Sequence, residues 1–297
     1  MAARDGRAPL GVWLLLAGGL VSLGASAILI RYAGDAPPVA IAAWRTVLVT
    51  AVLAPFAATR AADETAAFTA RDWALVGAAG ATLGLHFVAW ITSVGLTTVA
   101  SASVLVTTSP VFIAVLGALF LGERPSARVA AGIAVACGGA VLIAVGEGGD
   151  AGAGPSATLG NALALGAALL VSVYLLIGRA VRQRTSFLAY FVPVNAVAAA
   201  TTVGACVATG TSLAVGWPVF GLCLAIALGP GLLGHGSFTV ALRYLPAAFL
   251  GLLTLAEPVL ASALALALFG EAPTALALAG MAAVLVAIAV VVATPKR

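Results

Sequence analysis

The sequence has few charged residues for its length. Asp, Glu, Lys and Arg make up 8% of its 297 residues, whereas soluble domains carry about 25%. A soluble domain of this size must cover its surface with polar side chains, and 14 basic and 10 acidic residues are too few to do so. The composition therefore excludes a soluble globular protein.

Cysteine, histidine and the motifs of cofactor chemistry are also scarce. Cys137, Cys206 and Cys223 lie in apolar segments, so we expect no structural disulfide. The sequence contains no GxxxxGK[ST], HExxH or CxxC pattern, which argues against ATP hydrolysis and metal chemistry. We therefore expect no cofactor and no metal site. The net charge of +4 is spread among loops, so we expect no nucleic-acid partner.

Long apolar stretches dominate what is present. Hydrophobic residues make up 63% of the chain, and the mean hydropathy is +1.17. The stretches have the length of about 20 residues that crosses a bilayer as a helix, and they lack the alternation of membrane β-strands. We predict an all-α integral membrane protein, embedded in the lipid bilayer, with ten spans at 11–31, 37–57, 73–95, 98–121, 126–146, 157–178, 186–208, 217–240, 246–269 and 274–293.

The basic residues predict how these spans are oriented. Cytoplasmic loops of membrane proteins are enriched in Lys and Arg. With both termini inside, Arg31 falls outside, Arg45 lies within a span, and the other twelve of the 14 basic residues fall inside: Arg4, Arg7, Arg60, Arg71, Arg124, Arg128, Arg179, Arg182, Arg184, Arg243, Lys296 and Arg297. We expect a multi-pass protein of the plasma (inner) membrane with cytoplasmic N- and C-termini.

The chain contains an internal repeat. Gly122-Glu123-Arg124-Pro125 recurs 148 residues later as Gly270-Glu271-Ala272-Pro273, and the same shift relates Arg31 to Arg179 and Pro110 to Pro258. We predict two five-helix repeats, at 1–148 and 149–297. Because five is an odd number, the second repeat must be inverted in the membrane. Inverted repeats can exchange conformations and open a shared site to either side in turn.

These features resemble the ten-helix drug/metabolite transporter superfamily, specifically its EamA-like members. The resemblance covers nearly the whole chain. It rests on Ser109-Pro110-Val111-Phe112 followed by Gly122-Glu123-Arg124-Pro125, on the echo Glu257-Pro258-Val259, and on Arg45 in the second span. It implies a secondary transporter, often an exporter of amino acids, nucleosides, drugs or other metabolites, with a cavity lined mainly by helices 1 to 4 and 6 to 9.

Two charged residues lie at membrane depth, where a charge costs about 2.5 to 3.5 kcal/mol or more. Glu257 is the only acid well inside a predicted span, and it can bind a coupled proton or a substrate ammonium group. Arg45 can bind a carboxylate in bidentate fashion, gate the outer half by pairing with Glu257, or simply reach the membrane interface. The structural alternative for Glu257 is an ion pair with Arg45.

Several uncharged or weakly basic residues are further candidates for the cavity. His86 and Trp90 share a helix face and can act as a proton-sensitive donor and a stacking wall, although for a lone histidine we slightly favour the alternative of a packed side chain bonded to a neighbouring carbonyl. The other cavity candidates are Ser109, Tyr174, Asn195, His235 and Phe238. Asn195 and Tyr174 can equally serve as interhelical hydrogen-bonding residues. For structural or hinge roles we select Pro110, Pro258, Glu123 and Glu271.

The leading functional prediction is a secondary active exporter of small metabolites such as amino acids, working by alternating access and coupled to protons through Glu257. An uncoupled facilitator or an importer is the alternative within transport. From another class, a polytopic membrane enzyme or a scaffold is the alternative, but an enzyme needs converging acids, histidines or nucleophiles that are sparse here. A monomer and a homodimer both remain open.

Overall fold

A computed structural model describes residues 8–34, 36–97, 99–146, 156–270 and 272–293. In these residues every regular element is a helix, and ten helices are long and apolar enough to cross a membrane. We number them as spans 1 to 10: Leu10–Tyr32, Pro38–Arg60, Ala70–Leu96, Ala102–Phe120, Ala127–Gly146, Ala157–Val181, Phe187–Thr209, Trp217–Ala241, Ala247–Leu268 and Ala275–Val292. The predicted all-α membrane fold is confirmed, and the predicted ends agree within a few residues.

Local sequence signals set several of the helix ends. Thr69 caps span 3, where its hydroxyl accepts from the Asp72 amide and the Asp72 carboxylate accepts from the Thr69 amide, so both groups are satisfied. Gly122 and Gly270 follow spans 4 and 9 in the left-handed region, at φ 65° and 69°. Glycine adopts this conformation at no steric cost, which explains why the repeated motif begins with glycine.

Four spans are interrupted near their middle. Span 1 breaks at Ala25, span 4 at residues 107–108 and span 9 at residues 255–256. Pro110 and Pro258 lie in the first turn after the last two breaks, where a missing N–H leaves the preceding turn without a donor. Span 8 contains a π-helical segment, Ala227–His235, around Pro230. Such irregular backbone is tolerated at membrane depth where it is buried in protein or lines a cavity.

The two halves of the chain interlock. Span 3 packs on span 6, and span 8 packs on span 1; span 4 packs on span 6, and span 9 packs on span 1. Span 3 also packs on span 7, and span 8 on span 2. Spans whose numbers differ by five hold the same place in the two halves. When both spans of a contact are replaced by their equivalents in the other half, the result is another of these contacts. The packing is therefore approximately two-fold symmetric.

The contacts also give the relative directions of the spans. Gly80 and Gly84 approach Val197 and Thr201 in the same order, so spans 3 and 7 run parallel. By contrast, Gly19 lies against Ser237 and Gly229 against Ser22, so spans 1 and 8 run antiparallel.

Two further pairs of spans follow the same rule. His86 bonds to Ala167 and Thr97 to Asn161, so spans 3 and 6 run antiparallel. Spans 5 and 10 are also antiparallel, and Gly139 and Gly280 meet where they cross. In these pairs, spans of unlike parity are antiparallel and those of like parity are parallel.

Candidate functional site

A cavity lies among spans 1, 2, 3, 4, 6, 8 and 9, at the level of the interrupted helices. It encloses about 640 Å³ of space free of protein atoms, including its mouth, and the centre of a water molecule can occupy about 70 Å³ of it. The centre of a single bound water needs about 10 to 15 Å³. The cavity therefore has room for several waters or for one small solute. It is lined by Leu23, Ser26, Arg45, His86, Trp90, Val106, Thr107, Ser109, Val171, Leu175, His235, Phe238, Thr254 and Glu257.

Seven of the nine cavity candidates chosen from the sequence line this cavity: Arg45, His86, Trp90, Ser109, His235, Phe238 and Glu257. The other two lie elsewhere. Tyr174 is fully buried beside the cavity and its hydroxyl shares a 2.8 Å hydrogen bond with the Thr239 hydroxyl. Asn195 is buried in span 7, where its side-chain amide donates to the Phe191 carbonyl of its own helix at 2.8 Å.

Much of the lining comes from equivalent positions of the two repeats. The repeat shift of 148 residues carries one lining residue onto another in four cases, contributed by spans 1 and 6, 3 and 8, and 4 and 9: Leu23 onto Val171, Trp90 onto Phe238, Val106 onto Thr254, and Ser109 onto Glu257. The cavity therefore lies where the two repeats meet, and equivalent segments of both contribute to it.

The break in span 9 positions Glu257. Glu257 is the first residue of the helix Glu257–Phe269, and Pro258 follows it at the second position. A helix N-terminus carries unsatisfied N–H groups and a partial positive charge, both of which favour a carboxylate. Nearby, the Thr254 hydroxyl donates to the Gly251 carbonyl at 2.7 Å. Among the residues that the structure describes, Glu257 is the only acid in the cavity lining.

Arg45 lies in the part of the cavity formed by spans 2 and 3. Its side chain is 2% exposed, and its guanidinium carbon lies 4.0 Å from the centre of the Phe87 ring. This is a cation–π contact, which holds the guanidinium plane against the ring. Arg45 and Glu257 are both described, and no nitrogen–oxygen distance between them falls within the 4.0 Å of an ion pair. They share the cavity without direct contact.

Two histidines adjoin each other in the cavity. The His86 Nδ1 lies 2.9 Å from the Ala167 carbonyl oxygen of span 6, the packed arrangement weighed from the sequence. Its ring centre lies 6.2 Å from that of His235, and His235 also packs edge-on against Phe87 at 5.1 Å. The two imidazoles, Phe87 and Arg45 thus form one continuous cluster that joins spans 2, 3 and 8.

Polar contacts continue from the cavity toward the ends of spans 4, 6 and 8. After the Tyr174–Thr239 bond, the Arg179 Nε donates to the Glu123 carboxylate at 2.8 Å. The Arg179 Nη1 also donates to the Leu242 carbonyl at 2.8 Å. One guanidinium group therefore ties span 6 both to the loop after span 4 and to the residue that follows span 8.

The residues predicted to act as hinges or structural groups have distinct surroundings. Pro110 and Pro258 follow the breaks in spans 4 and 9, and Glu123 accepts from Arg179. Glu271 lies outside the described residues. The structure thus places the two prolines at helix interruptions beside the cavity, while Glu123 joins the loop after span 4 to span 6.

Sequence reasoning overlooked the apolar part of the lining. Leu23, Val106, Val171 and Leu175 line the cavity but cannot be distinguished by type from the many aliphatic residues that face lipid. The repeat relates some of these residues to each other but does not select them, because the 148-residue shift carries Trp90 and Ser109 only onto Phe238 and Glu257, which were already candidates. Applied to each span, the same shift pairs Leu23 with Val171.

Comparisons with known proteins agree with this architecture. No curated protein matches the chain. A solved structure described only as the crystal structure of a protein has a TM-score of 0.78 and 20% identity, with 96% of this chain and 97% of that chain covered; at this identity the likeness shows the fold alone. The sequence profile of the EamA-like transporter family matches residues 10–145 and again residues 158–293. The chain is therefore a multi-pass membrane protein that belongs to the EamA-like transporter family.

Proposed function

We propose that this protein is a secondary active exporter of small metabolites such as amino acids, in which Glu257 carries the coupled proton. The observation that carries the proposal is a small cavity at the meeting of the two repeats, with a single carboxylate in its lining. A carboxylate that faces a membrane cavity can exchange a proton with either compartment, provided that the cavity opens to each in turn. Alternating access then couples that proton to the substrate.

The relative directions of the spans support alternating access. If spans of like parity are parallel throughout, span 1 and its equivalent span 6 cross the membrane in opposite senses, and the repeats at 1–148 and 149–297 are inverted. Inverted repeats can exchange their conformations about a central site, which opens one side as it closes the other. The Arg179–Glu123 contact then belongs to the closed state of one side.

The distribution of basic residues supports the placement of the protein in the plasma (inner) membrane with both termini in the cytoplasm. In this orientation the end tied by Arg179 and Glu123 is the cytoplasmic end. We infer that this contact closes that end, so that an exporter in this conformer presents its site toward the outside, as it does after release of the substrate.

Counterflow in proteoliposomes tests the proposal. Purified protein is reconstituted, and a panel of radiolabelled amino acids and related metabolites is screened with and without an imposed proton gradient. We expect at least one substrate to exchange. We also expect it to accumulate inside the liposomes when protons leave them down an imposed gradient. If no member of the panel exchanges faster than in protein-free liposomes, the proposal is contradicted.

The substitution Glu257→Gln tests the coupling. It removes the exchangeable proton while keeping the size and polarity of the side chain, so we expect gradient-driven accumulation to fall to the protein-free level while counterflow persists. Asp63→Asn is the matched control, because Asp63 is an exposed acid in a short helix between spans 2 and 3. An unchanged proton dependence in Glu257→Gln refutes coupling through this residue.

A further inference from the structure

The cavity contains buried hydrogen-bond donors that have no acceptor. Three lining residues carry them: the Arg45 Nε and Nη2, the Trp90 Nε1 and the Ser26 hydroxyl are all buried and have no hydrogen-bond partner. These residues are only 2%, 5% and 2% exposed. A buried polar group without a partner costs about 1 to 3 kcal/mol, and more when it is charged, so such groups mark places where a further partner is expected.

The free donors of Arg45 have a particular geometry. The Nε and Nη2 hydrogens lie on one edge of the guanidinium plane, the edge that grips a carboxylate through two parallel bonds. The Phe87 ring lies beneath the guanidinium carbon, with its centre 4.0 Å away, so it restrains the group but supplies no oxygen acceptor. The guanidinium group is therefore preorganised for a planar, two-oxygen anion.

The residues near Arg45 do not supply that anion. Glu257 is the only acid in the lining and forms no ion pair with Arg45. His86 is already engaged with the Ala167 carbonyl, and His235 contacts aromatic rings. The remaining lining is largely apolar, with Leu23, Val171 and Phe238 among it. This environment suits a ligand with one anionic end and an apolar body.

We propose that Arg45, with Trp90 and Ser26, forms a carboxylate subsite, and that the transported solute is a small organic acid whose carboxylate binds side-on to the Arg45 guanidinium group. This inference rests on the proposed transport function for the identity of the ligand as a substrate. The carboxylate is the required group, whereas an amino group is an additional feature that Glu257 can recognise.

Matched pairs of probes test this subsite by binding alone. Purified full-length protein in detergent is titrated with phenylpropanoate and phenylpropanamide, and with phenylalanine and phenylalaninamide, and affinity is measured from the rise in unfolding temperature. We expect each acid to bind at least roughly tenfold more tightly than its amide. Equal binding of acid and amide in both pairs overturns the proposal, and so does the absence of binding by every probe.

Variants assign the preference to Arg45. Arg45→Gln is expected to weaken acid binding on the order of a hundredfold and to abolish the preference for acid over amide. Arg45→Lys keeps the positive charge but loses the pair of parallel N–H donors, so it is expected to retain part of the preference for acid over amide. Arg60→Gln is the matched control, because Arg60 lies at the exposed end of the same span. A full preference in Arg45→Gln contradicts the subsite.

Two milder variants keep the test decisive if Arg45→Gln does not fold. Trp90→Phe and Ser26→Ala each remove one donor and little volume, and each is expected to reduce the preference for the acid several-fold. Unchanged preference in both overturns the subsite. The outcome is separable from the proposed function. If the protein prefers acids to amides but transports none of them, the proposed transport is refuted and the carboxylate subsite stands. If it transports a substrate but shows no preference for acids, the subsite is refuted and the proposed transport stands.

Discussion

The two repeats differ in backbone and in side chains where they meet. Spans 4 and 9 both break ahead of a proline, whereas the interruptions of spans 1 and 8 have no equivalent in spans 6 and 3. Their polar side chains do not match: the shift of 148 residues pairs Ser109 with Glu257, and Arg45 with Pro193. Duplication explains the shared arrangement of the spans, whereas the polar side chains of the cavity lie at positions where the two copies have diverged.

The ends of the cavity show the same divergence. In span 6, the Tyr174 hydroxyl shares a hydrogen bond with the Thr239 hydroxyl of span 8. Its equivalent in span 1 is Ser26, a much smaller residue that lines the cavity. The Tyr side chain fills space that the Ser side chain leaves empty. A symmetric scaffold therefore carries an asymmetric cavity, and each prediction below perturbs one element of this comparison.

The largest effect is expected at the closed end. Arg179→Gln removes the contacts with Glu123 and Leu242, and a charged hydrogen bond contributes about 1.5 to 3 kcal/mol. Since each 1.4 kcal/mol corresponds to about a tenfold change in an equilibrium constant, the population of the open form of this end should rise about 10- to 100-fold. We expect a similar increase in the rate at which a membrane-impermeant thiol reagent, added from this end, labels Thr254→Cys in a background without native cysteines.

Arg184→Gln is the control for this experiment. Arg184 also forms an ion pair, at 2.5 Å with Asp72, but it does not contact the segment after span 4. Its removal should leave the labelling rate unchanged. Equal acceleration by both variants indicates a general loosening of the fold and contradicts a specific gate at Arg179.

A smaller effect is expected where spans 5 and 10, equivalent elements of the two repeats, cross. A Cβ atom at Gly139 would lie 2.7 Å from the Gly280 carbonyl oxygen, so Gly139→Val forces the helices apart. Overpacking costs about 1 to 3 kcal/mol, which should appear as a lower unfolding temperature in detergent. At Gly138, one residue earlier, a Cβ atom meets nothing within 4 Å; Gly138→Val should be neutral, and equal destabilisation contradicts the described crossing.

The smallest effect concerns spans 2 and 7, which are also equivalent elements. The Thr46 and Thr202 hydroxyls share a 2.9 Å hydrogen bond across them, and such bonds contribute about 0.6 kcal/mol in membranes. Thr46→Val should lower the free energy of unfolding by about that amount. Thr50→Val is the control, because the Thr50 hydroxyl bonds only to the Thr46 carbonyl of its own helix. Identical losses in both variants contradict an interhelical contribution.

The fold was predictable because membrane insertion imposes strong and simple constraints. Length and hydropathy located every span, and the repeated Gly-Glu-x-Pro motif marked the ends of spans 4 and 9, where Gly122 and Gly270 adopt positive φ. Pro110 and Pro258 were selected for structural or hinge roles, and each follows a break in its span, where the missing N–H leaves the preceding turn without a donor. These signals are local, so a single sequence contains them.

The candidate site was predictable only in its rare residue types. Arg45, Glu257 and the two histidines stand out in an apolar sequence, and all four line the cavity. Tyr174 and Asn195 were chosen by the same reasoning but bond to other parts of the protein, because polarity at membrane depth does not reveal which neighbour satisfies the group. The separation of Arg45 from Glu257 depends on how seven spans pack together, which hydropathy does not encode.

The most direct test of the central claim is the side of the membrane on which equivalent residues of the two repeats lie. Ser126 and Thr274 are exposed and are related by the shift of 148 residues. Each is replaced by cysteine in a background without native cysteines, and intact cells and inside-out vesicles are treated with a membrane-impermeant thiol reagent. The account predicts that Ser126→Cys is labelled only in the vesicles and Thr274→Cys only in the cells. Labelling of both cysteines from the same face contradicts it.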